Sequence, residues 1–164
     1  MRAQLNPDQL RCFETITETV RNEPQSAAFY LQGPGGTGKT FLYNTLCHHY
    51  RGLGQTVLCV ASTGIAALLL PGGTTSHSQF KIPINLHESS TYNIKKNSKA
   101  ADLLRSIGLI IWDEVPIQHK YCFKAIHRLL SDVCNTEGSG MLFGGIPVLL
   151  GGDFAQILPV VEHG

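Results

Sequence analysis

The sequence predicts an α/β domain with a mainly parallel sheet flanked by helices, and three observations support this fold class. A glycine-rich segment, residues 33–40, lies between a predicted strand at 27–32 and a predicted helix at 41–50. Predicted strands and helices continue to alternate, as expected for a parallel sheet with right-handed crossovers. A later predicted strand, residues 107–113, leads into two consecutive acids. With 164 residues and 43% hydrophobic side chains, the chain can form one domain with a sizeable core.

The glycine-rich segment matches the G-x-x-x-x-G-K-[ST] phosphate-binding pattern at every fixed position, and we call it the phosphate loop. Glycines let backbone N–H groups approach phosphate oxygens without an intervening Cβ. Lys39 is expected to lie over the β- and γ-phosphates, and Thr40 to offer its hydroxyl to a bridging Mg²⁺ ion. The N-terminal dipole of the next helix adds to this cradle. The predicted nucleotide-binding residues of the loop are Gly33, Gly35, Gly36, Thr37, Gly38, Lys39 and Thr40.

The N-terminal helix is predicted to start after Asn6 and to run to about Arg21. Asn6 is the expected N-cap, with Pro7 at the first helical position. Gln9 has two interpretations. It can close a capping box with Asn6, or its amide can contact adenine, because an amide both donates and accepts hydrogen bonds. Spacing by itself favours the capping box.

Residues 74–83 lack helical or strand periodicity but combine hydroxyls, one His, one Phe and one Lys. This set suits DNA backbone phosphates plus one stacked base. The alternative is a polar loop in which Phe80 anchors the segment to the core. A buried strand at 55–61 and a short apolar helix at 65–70 precede it, and a polar, basic, exposed loop is expected at 85–99.

Two acids, Asp113 and Glu114, follow the apolar strand 107–113. The C-terminal ends of parallel strands meet at one edge of a sheet, so these acids should face the same crevice as the phosphate loop. We assign Asp113 to the magnesium side and Glu114 to the general base. After a predicted helix at 116–134 and a strand at 146–150, Gln156 lies one strand further along this edge. Its amide is expected to contact the γ-phosphate or the attacking water.

Composition narrows the class of protein. The formal net charge is +1, which favours neither general nucleic-acid binding nor membrane-surface binding, although residues 81–105 carry five basic and two acidic side chains. Five cysteines without a C-x-x-C pair indicate reduced, mainly buried thiols. No charged leader with an apolar run is present, and the longest apolar run, residues 65–70, is too short to span a membrane. We therefore expect a soluble intracellular protein with no secretory signal and no membrane partner.

Six segments in order closely resemble motifs of the petite-integration-frequency helicases, superfamily 1 motors that move 5′ to 3′ on single-stranded DNA. The likeness is closest to the branch found in rolling-circle transposons and covers nearly the whole chain. It implies the RecA-like P-loop fold of an N-terminal motor domain, with ATP and Mg²⁺ as cofactors. The segments are residues 5–9, 33–40, 62–67, 72–83, 112–116 and 151–159.

The resemblance also implies a task for each segment. The first holds adenine, which favours a base contact for Gln9, and the second and fifth hydrolyse ATP. The third and fourth line the path of single-stranded DNA, and the sixth couples the two activities. The resemblance further implies roles in DNA repair, recombination and telomere maintenance, in the nucleus or the mitochondrion. The residues expected near DNA are Thr63, Thr75, His77 and Phe80.

Two departures from the family pattern limit the expected activity. Ala155 replaces the arginine of the usual Gly-Gly-Asp-Phe-Arg-Gln, at the coupling segment. The two arginines of the family's later motifs, and its second motor domain, would lie beyond Gly164. We therefore interpret residues 1–164 as an incomplete motor that binds ATP–Mg²⁺ but has weak ATPase and no unwinding activity alone. The alternatives are a non-catalytic nucleic-acid- or partner-binding remnant, and a small-molecule phosphotransferase, which would leave the other motifs unexplained.

Overall fold

Five strands and six α-helices make up the fold of the part of the chain that the structure describes. A computed structural model describes residues 1–82, 87, 93–118 and 120–156, with only the backbone described for Ile117 and Gln156. The strands are β1 (Ala28–Gln32), β2 (Thr56–Ala61), β3 (Thr74–Thr75), β4 (Ile107–Asp113) and β5 (Val148–Gly152). The helices are α1 (Pro7–Asn22), α2 (Lys39–Gly52), α3 (Gly64–Leu68), α4 (Ser76–Phe80), α5 (Lys99–Arg105) and α6 (Lys120–Val133). The predicted α/β class is confirmed.

The strands form one sheet in the order β1-β5-β4-β2-β3, and all described pairs are parallel. Near their C-terminal ends, Gln32 of β1 is opposite Gly152 of β5. Asp113 of β4 is opposite Ala61 of β2 in the same way. The segments that follow these four strands therefore leave the sheet at one edge, where ligands bind in open parallel sheets.

Each face of the sheet carries its own hydrophobic cluster. On one face, α1 and α2 pack Phe13 and Leu46 against the sheet, and on the other α6 contributes Leu129. β4 serves both clusters because its side chains alternate, with Ile111 in the first and Trp112 in the second. The continuous apolar run of β4 is typical of a parallel strand that is covered on both faces.

The capping box predicted at the start of α1 is confirmed. The side-chain oxygen of Asn6 accepts from the Gln9 N–H at 2.9 Å, and the Gln9 amide oxygen accepts from the Asn6 N–H at 3.0 Å. Two orphan N–H groups of the first turn are thus satisfied reciprocally. This arrangement fixes Gln9 in the first turn of α1 and leaves its amide nitrogen available for a contact with another segment.

The strand predicted at 27–32 is confirmed as β1, but the prediction that it is buried is wrong. β1 is an edge of the described sheet, and its Ala28, Tyr30 and Gln32 side chains are exposed. A short apolar run does not distinguish a central strand from an edge strand, because that difference depends on strand order.

Residues 74–83 show neither helical nor strand periodicity in the sequence, but most of them form β3 and α4. Thr75 caps α4, and its hydroxyl oxygen accepts from the Ser78 N–H at 3.3 Å. A strand of two residues and a helix of five are too short to produce a visible period, so the cap was the available signal. The predicted helix at 116–134 begins only at Lys120, because Pro116 lies in a 3-10 turn, Val115–Ile117.

Residues 83–86, 88–92, 119 and 157–164 lie outside the described residues, so only residue 87 and residues 93–99 of the predicted loop 85–99 are described. Its described end includes the buried side chain of Ile94 and the N-cap of α5, Ser98. All five cysteines are free thiols, and three of them, Cys47, Cys59 and Cys122, are buried. Within the described ranges, no helix is long and apolar enough to cross a bilayer.

Candidate nucleotide-binding site

A cavity of about 480 Å³ opens at the C-terminal edge of the sheet. Its walls include Lys39 and Thr40 from the phosphate loop, Asp113 and Glu114 after β4, and Asp153 after β5. The structure therefore brings together two groups of predicted site residues that lie more than 70 residues apart in the sequence. The volume is within the range of about 300–1,000 Å³ that is usual for small-molecule sites.

The backbone of the phosphate loop requires glycine at specific positions. Gly36 and Gly38 both have φ of 80°, in the left-handed region that side chains disfavour. At Gly38 a Cβ would also overlap the Gln9 amide. Thr37 stabilises the turn because its hydroxyl donates to the Pro34 carbonyl at 2.8 Å. The loop thus leads directly into α2, whose N-terminal N–H groups and dipole favour an anion.

The side chain of Lys39 folds back against the first residues of the phosphate loop. Its ammonium group donates to the carbonyl of Gly33 and, at 3.0 Å, to that of Pro34. The charge is thereby held on the concave side of the loop, next to Thr40 in the first turn of α2. A lysine in this position supplies a positive charge to phosphate oxygens that the loop's N–H groups bind.

Asp113 is fixed by a residue that the sequence did not identify. Tyr43, on α2, is fully buried, and its hydroxyl donates to Asp113 Oδ1 at 3.2 Å. Burial and the negative charge of Asp113 raise the pKa of Tyr43, so the hydroxyl stays a protonated donor. Gly151 makes room for this hydroxyl, because a Cβ at Gly151 would overlap it. The glycine pair at the end of β5 was the available sequence signal, since strand glycines mark close approach.

Glu114 has an unusual backbone and a specific partner. Its φ of 54° lies in the left-handed region, which is uncommon for a residue other than glycine. The Thr63 hydroxyl donates to Glu114 Oε2 at 2.9 Å. Thr63, which we predicted to lie near DNA, is therefore in direct contact with the predicted general base.

The residues that follow β5 form a further wall of the cavity. The Gln32 side chain and the Ala155 N–H both donate to Asp153 Oδ1, at 3.1 and 3.0 Å. These contacts fix the start of the 3-10 turn Phe154–Gln156. The side chain of Gln156 lies outside the described residues, so its contact with the γ-phosphate stays a prediction. Gln32 was missed because nothing local distinguishes it from other residues at a strand end.

Gln9 contacts the phosphate loop while it closes the capping box with Asn6. Its amide nitrogen donates to the Gly38 carbonyl at 3.2 Å, and its amide oxygen is the acceptor of the capping box. The position of Gln9 is therefore compatible with both interpretations, the capping box and the adenine contact. The capping role is confirmed, and the adenine contact stays a prediction.

The residues predicted to contact DNA have different environments. Thr75 and His77 are half-buried at the start of α4. Phe80 is fully buried, and its ring centroid lies 6.3 Å from that of Trp112. Stacking on a base needs an exposed ring face, so the stacking prediction for Phe80 is wrong in this conformation and the core-anchor alternative is confirmed.

Comparison with known proteins gives consistent matches to one family. The family model described as "PIF1-like helicase" matches residues 4–164. The chain is 33% identical over 137 residues to "ATP-dependent DNA helicase Pif1" of Psychrobacter sp. (strain PRwf-1), covering 82% of this chain and 20% of that protein. It is also 33% identical over 147 residues to "ATP-dependent DNA helicase PIF4" of Trypanosoma brucei brucei (strain 927/4 GUTat10.1), covering 84% and 17%. The chain thus spans about a fifth of the length of these relatives.

Solved structures agree with the sequence comparison. A crystal structure of Bacteroides sp Pif1 in complex with ADP-AlF4 superposes with a TM-score of 0.74 at 27% identity, covering 96% of this chain and 34% of that one. A crystal structure of Bacteroides Pif1 bound to single-stranded DNA gives a TM-score of 0.69 at 29% identity, covering 90% and 34%. The fold is therefore the RecA-like P-loop fold of these proteins. Because the family model matches nearly the whole sequence, the chain belongs to the PIF1-like helicase family.

Proposed function

We propose that the chain is the nucleotide-binding motor domain of an ATP-dependent DNA helicase that moves 5′ to 3′ on single-stranded DNA. The observation that supports this proposal best is the single cavity shared by Lys39, Thr40, Asp113 and Glu114. In P-loop motors these four residue types hold the triphosphate and the metal and activate the attacking water. Because the chain spans only a fraction of its relatives, helicase activity is proposed for the whole protein in which this sequence occurs.

The residues of the cavity fit ATP and Mg²⁺. The loop's N–H groups and Lys39 match the β- and γ-phosphates, and magnesium prefers hydroxyl and carboxylate oxygens such as those of Thr40 and Asp113. The Tyr43 hydroxyl donates a hydrogen bond to Oδ1 of Asp113, and Oδ2 has no protein partner among the described residues. One carboxylate oxygen is therefore held in place while the other stays available to a hydrated cation. Mg²⁺ would supply charge neutralisation of the phosphate oxygens.

Hydrolysis by residues 1–164 is expected to be slow. Glu114 can accept a proton from water, since only its Oε2 has a hydrogen-bond partner among the described residues. The transition state, however, is normally stabilised by an arginine, which is worth about 10³–10⁵ in rate. Ala155 stands where the family pattern has an arginine after Asp153. We expect a low ATPase rate from these residues, and duplex unwinding to require a second domain that closes and opens.

Single-stranded DNA is the proposed partner of the segments that follow β2 and β3. Thr63, Thr75 and His77 lie at the same edge of the sheet, because β3 pairs with the end of β2 at Ala61 and Thr75. The Bacteroides Pif1 that is bound to single-stranded DNA supports this proposal. Roles in DNA repair, recombination and telomere maintenance, in the nucleus or mitochondrion, belong to the same proposal and rest on the family resemblance.

Ala155 also favours a second candidate, a helicase remnant that binds nucleotide or nucleic acid without turnover. ATPase measurements with and without a single-stranded oligonucleotide distinguish the two. Hydrolysis that depends on Mg²⁺ and rises with DNA supports the motor. Nucleotide binding without turnover in the whole protein would favour the remnant, and a failure to bind ATP–Mg²⁺ would refute both.

A further inference from the structure

The hydrogen bond between Thr63 and Glu114 joins two parts of the cleft to which the sequence assigns different tasks. Thr63 belongs to the segment 62–67 that is expected to line the DNA path, and Glu114 is the proposed general base. Their side chains meet because β2 and β4 pair in register up to Ala61 and Asp113. The pairing extends one residue further, where the Ser62 N–H donates to the Asp113 carbonyl at 3.3 Å. The contact at 2.9 Å is thus built on a rigid backbone frame.

Because Glu114 has a left-handed backbone, its hydrogen bond with Thr63 is important for the direction of its side chain. A residue other than glycine in the left-handed region is strained and persists where its surroundings hold it. Glu114 is half-buried with φ of 54°, and within the described part of the chain Thr63 is the hydrogen-bond partner of its carboxylate. The direction of this side chain therefore depends on the Thr63 hydroxyl.

The same hydroxyl also belongs to α3. Its oxygen caps the helix by accepting from the Ala66 N–H at 3.3 Å, so any shift of α3 moves the donor to Glu114. One side of α3 is strongly exposed, with Ile65 and Leu68 81% and 85% accessible. A ligand that binds this surface can act on the carboxylate through one hydrogen bond.

A second hydrogen bond connects the same two regions. Ser76, at the start of α4, is fully buried, and its hydroxyl donates to the Gln118 side-chain oxygen at 2.8 Å. Gln118 lies four residues after Glu114 in the same connection between β4 and α6. The segments after β2 and after β3 are therefore both attached to the segment that carries the base.

We propose that Thr63 is a positioning residue for Glu114 and that DNA stimulation of turnover passes through its hydroxyl. This inference rests on the proposed function, since it takes Glu114 as the base. In the step concerned, a water proton goes to Glu114, the water oxygen bonds to the γ-phosphorus, and ADP leaves with the electron pair of the broken bond. The donated hydrogen bond holds the carboxylate in one direction for this transfer.

The test compares Thr63→Val, Thr63→Ser and Ser98→Ala in the whole protein that contains this sequence. Ser98→Ala is the matched control, because Ser98 caps α5 by accepting from the Ala101 N–H at 3.2 Å and does not line the cavity. We expect Thr63→Val to lower the DNA-stimulated kcat by about tenfold or more, with KM for ATP changed by less than about twofold. Thr63→Ser keeps the hydroxyl and should restore most of the rate, and Ser98→Ala should leave it unchanged.

A Glu114→Ala background makes the test specific. There, Thr63→Val should cause no further loss of turnover, and without nucleotide the melting-temperature shifts of the two substitutions should not add. A wild-type kcat in Thr63→Val, an equal loss in Thr63→Ser, or strictly additive shifts would each overturn the inference. If wild-type protein fails to bind ATP, the proposed function itself fails, and the melting-temperature cycle still decides whether the two side chains are coupled.

Discussion

The phosphate side of the cleft, residues 33–40, and its proposed DNA side, residues 62–67 and 72–83, differ in how directly their sequence specifies their geometry. On the phosphate side, backbone N–H groups and short polar side chains form the site, and consecutive residues set their positions. On the DNA side, similar hydroxyl and aromatic residues have separate environments. Thr63 contacts Glu114, the proposed general base. Ser76 is buried against Gln118, and Phe80 is in the core. The comparison shows that a short motif specifies the geometry of a site well where the backbone itself forms that site.

Glu114→Gln should produce the largest effect, on turnover. The amide keeps the size of the carboxylate but cannot take a proton, so hydrolysis should fall by about 10²–10⁴-fold. Calorimetry should show ATP affinity within about twofold of the parent, since the phosphate loop is unchanged. If the substituted protein hydrolysed ATP at the parent rate, the base would have to be reassigned.

Phe80→Ala tests the DNA side of the comparison. Removing a fully buried ring should lower the free energy of unfolding by about 3–5 kcal/mol, measured by denaturant titration. The half-buried His77 on the same helix provides the control, and His77→Ala should weaken binding of single-stranded DNA with a stability change of about 0.5 kcal/mol or less. The opposite pattern, a stable Phe80→Ala protein with reduced DNA affinity, would show that the ring stacks on a base.

Lys39→Ala tests the phosphate side. A charge-assisted contact with phosphate is worth about 1.5–3 kcal/mol, so nucleotide affinity should fall by a factor of roughly ten to one hundred. Lys99→Ala removes an exposed lysine from α5, away from the cavity, and should leave the affinity unchanged. Isothermal titration with ATP and Mg²⁺ measures both, and unchanged binding by Lys39→Ala would falsify the assignment of the loop.

Tyr43→Phe should have the smallest effect. It tests whether the phosphate side also depends on contacts between residues that are distant in the sequence. Without the hydroxyl, Asp113 Oδ1 loses its donor, and we expect ATP affinity in Mg²⁺ to fall by about fivefold, or about 1 kcal/mol. Affinity without Mg²⁺ should not change. Tyr50→Phe is a matched control on the same helix, because the buried Tyr50 hydroxyl has no partner among the described residues. Equal effects of both substitutions would contradict a specific role for Tyr43.

The sequence by itself determined the fold class, the phosphate loop, the acids after β4 and the capping box of α1. Each depends on a short run of residues whose conformation is local. The glycines allow a φ of 80° at Gly36 and Gly38, and the Gln9 amide oxygen accepts from the Asn6 N–H within one helical turn. The alternation of strands and helices then placed Asp113 and Glu114 at the same edge as the loop.

The tertiary structure alone decided which side chains meet across that edge. The Tyr43–Asp113 and Thr63–Glu114 hydrogen bonds join residues 70 and 51 positions apart, and no local pattern encodes them. The burial of Phe80 and the edge position of β1 likewise depend on neighbours contributed by other elements. The physical reason is that strand order and register fix these distances, whereas periodicity and caps describe only one element at a time.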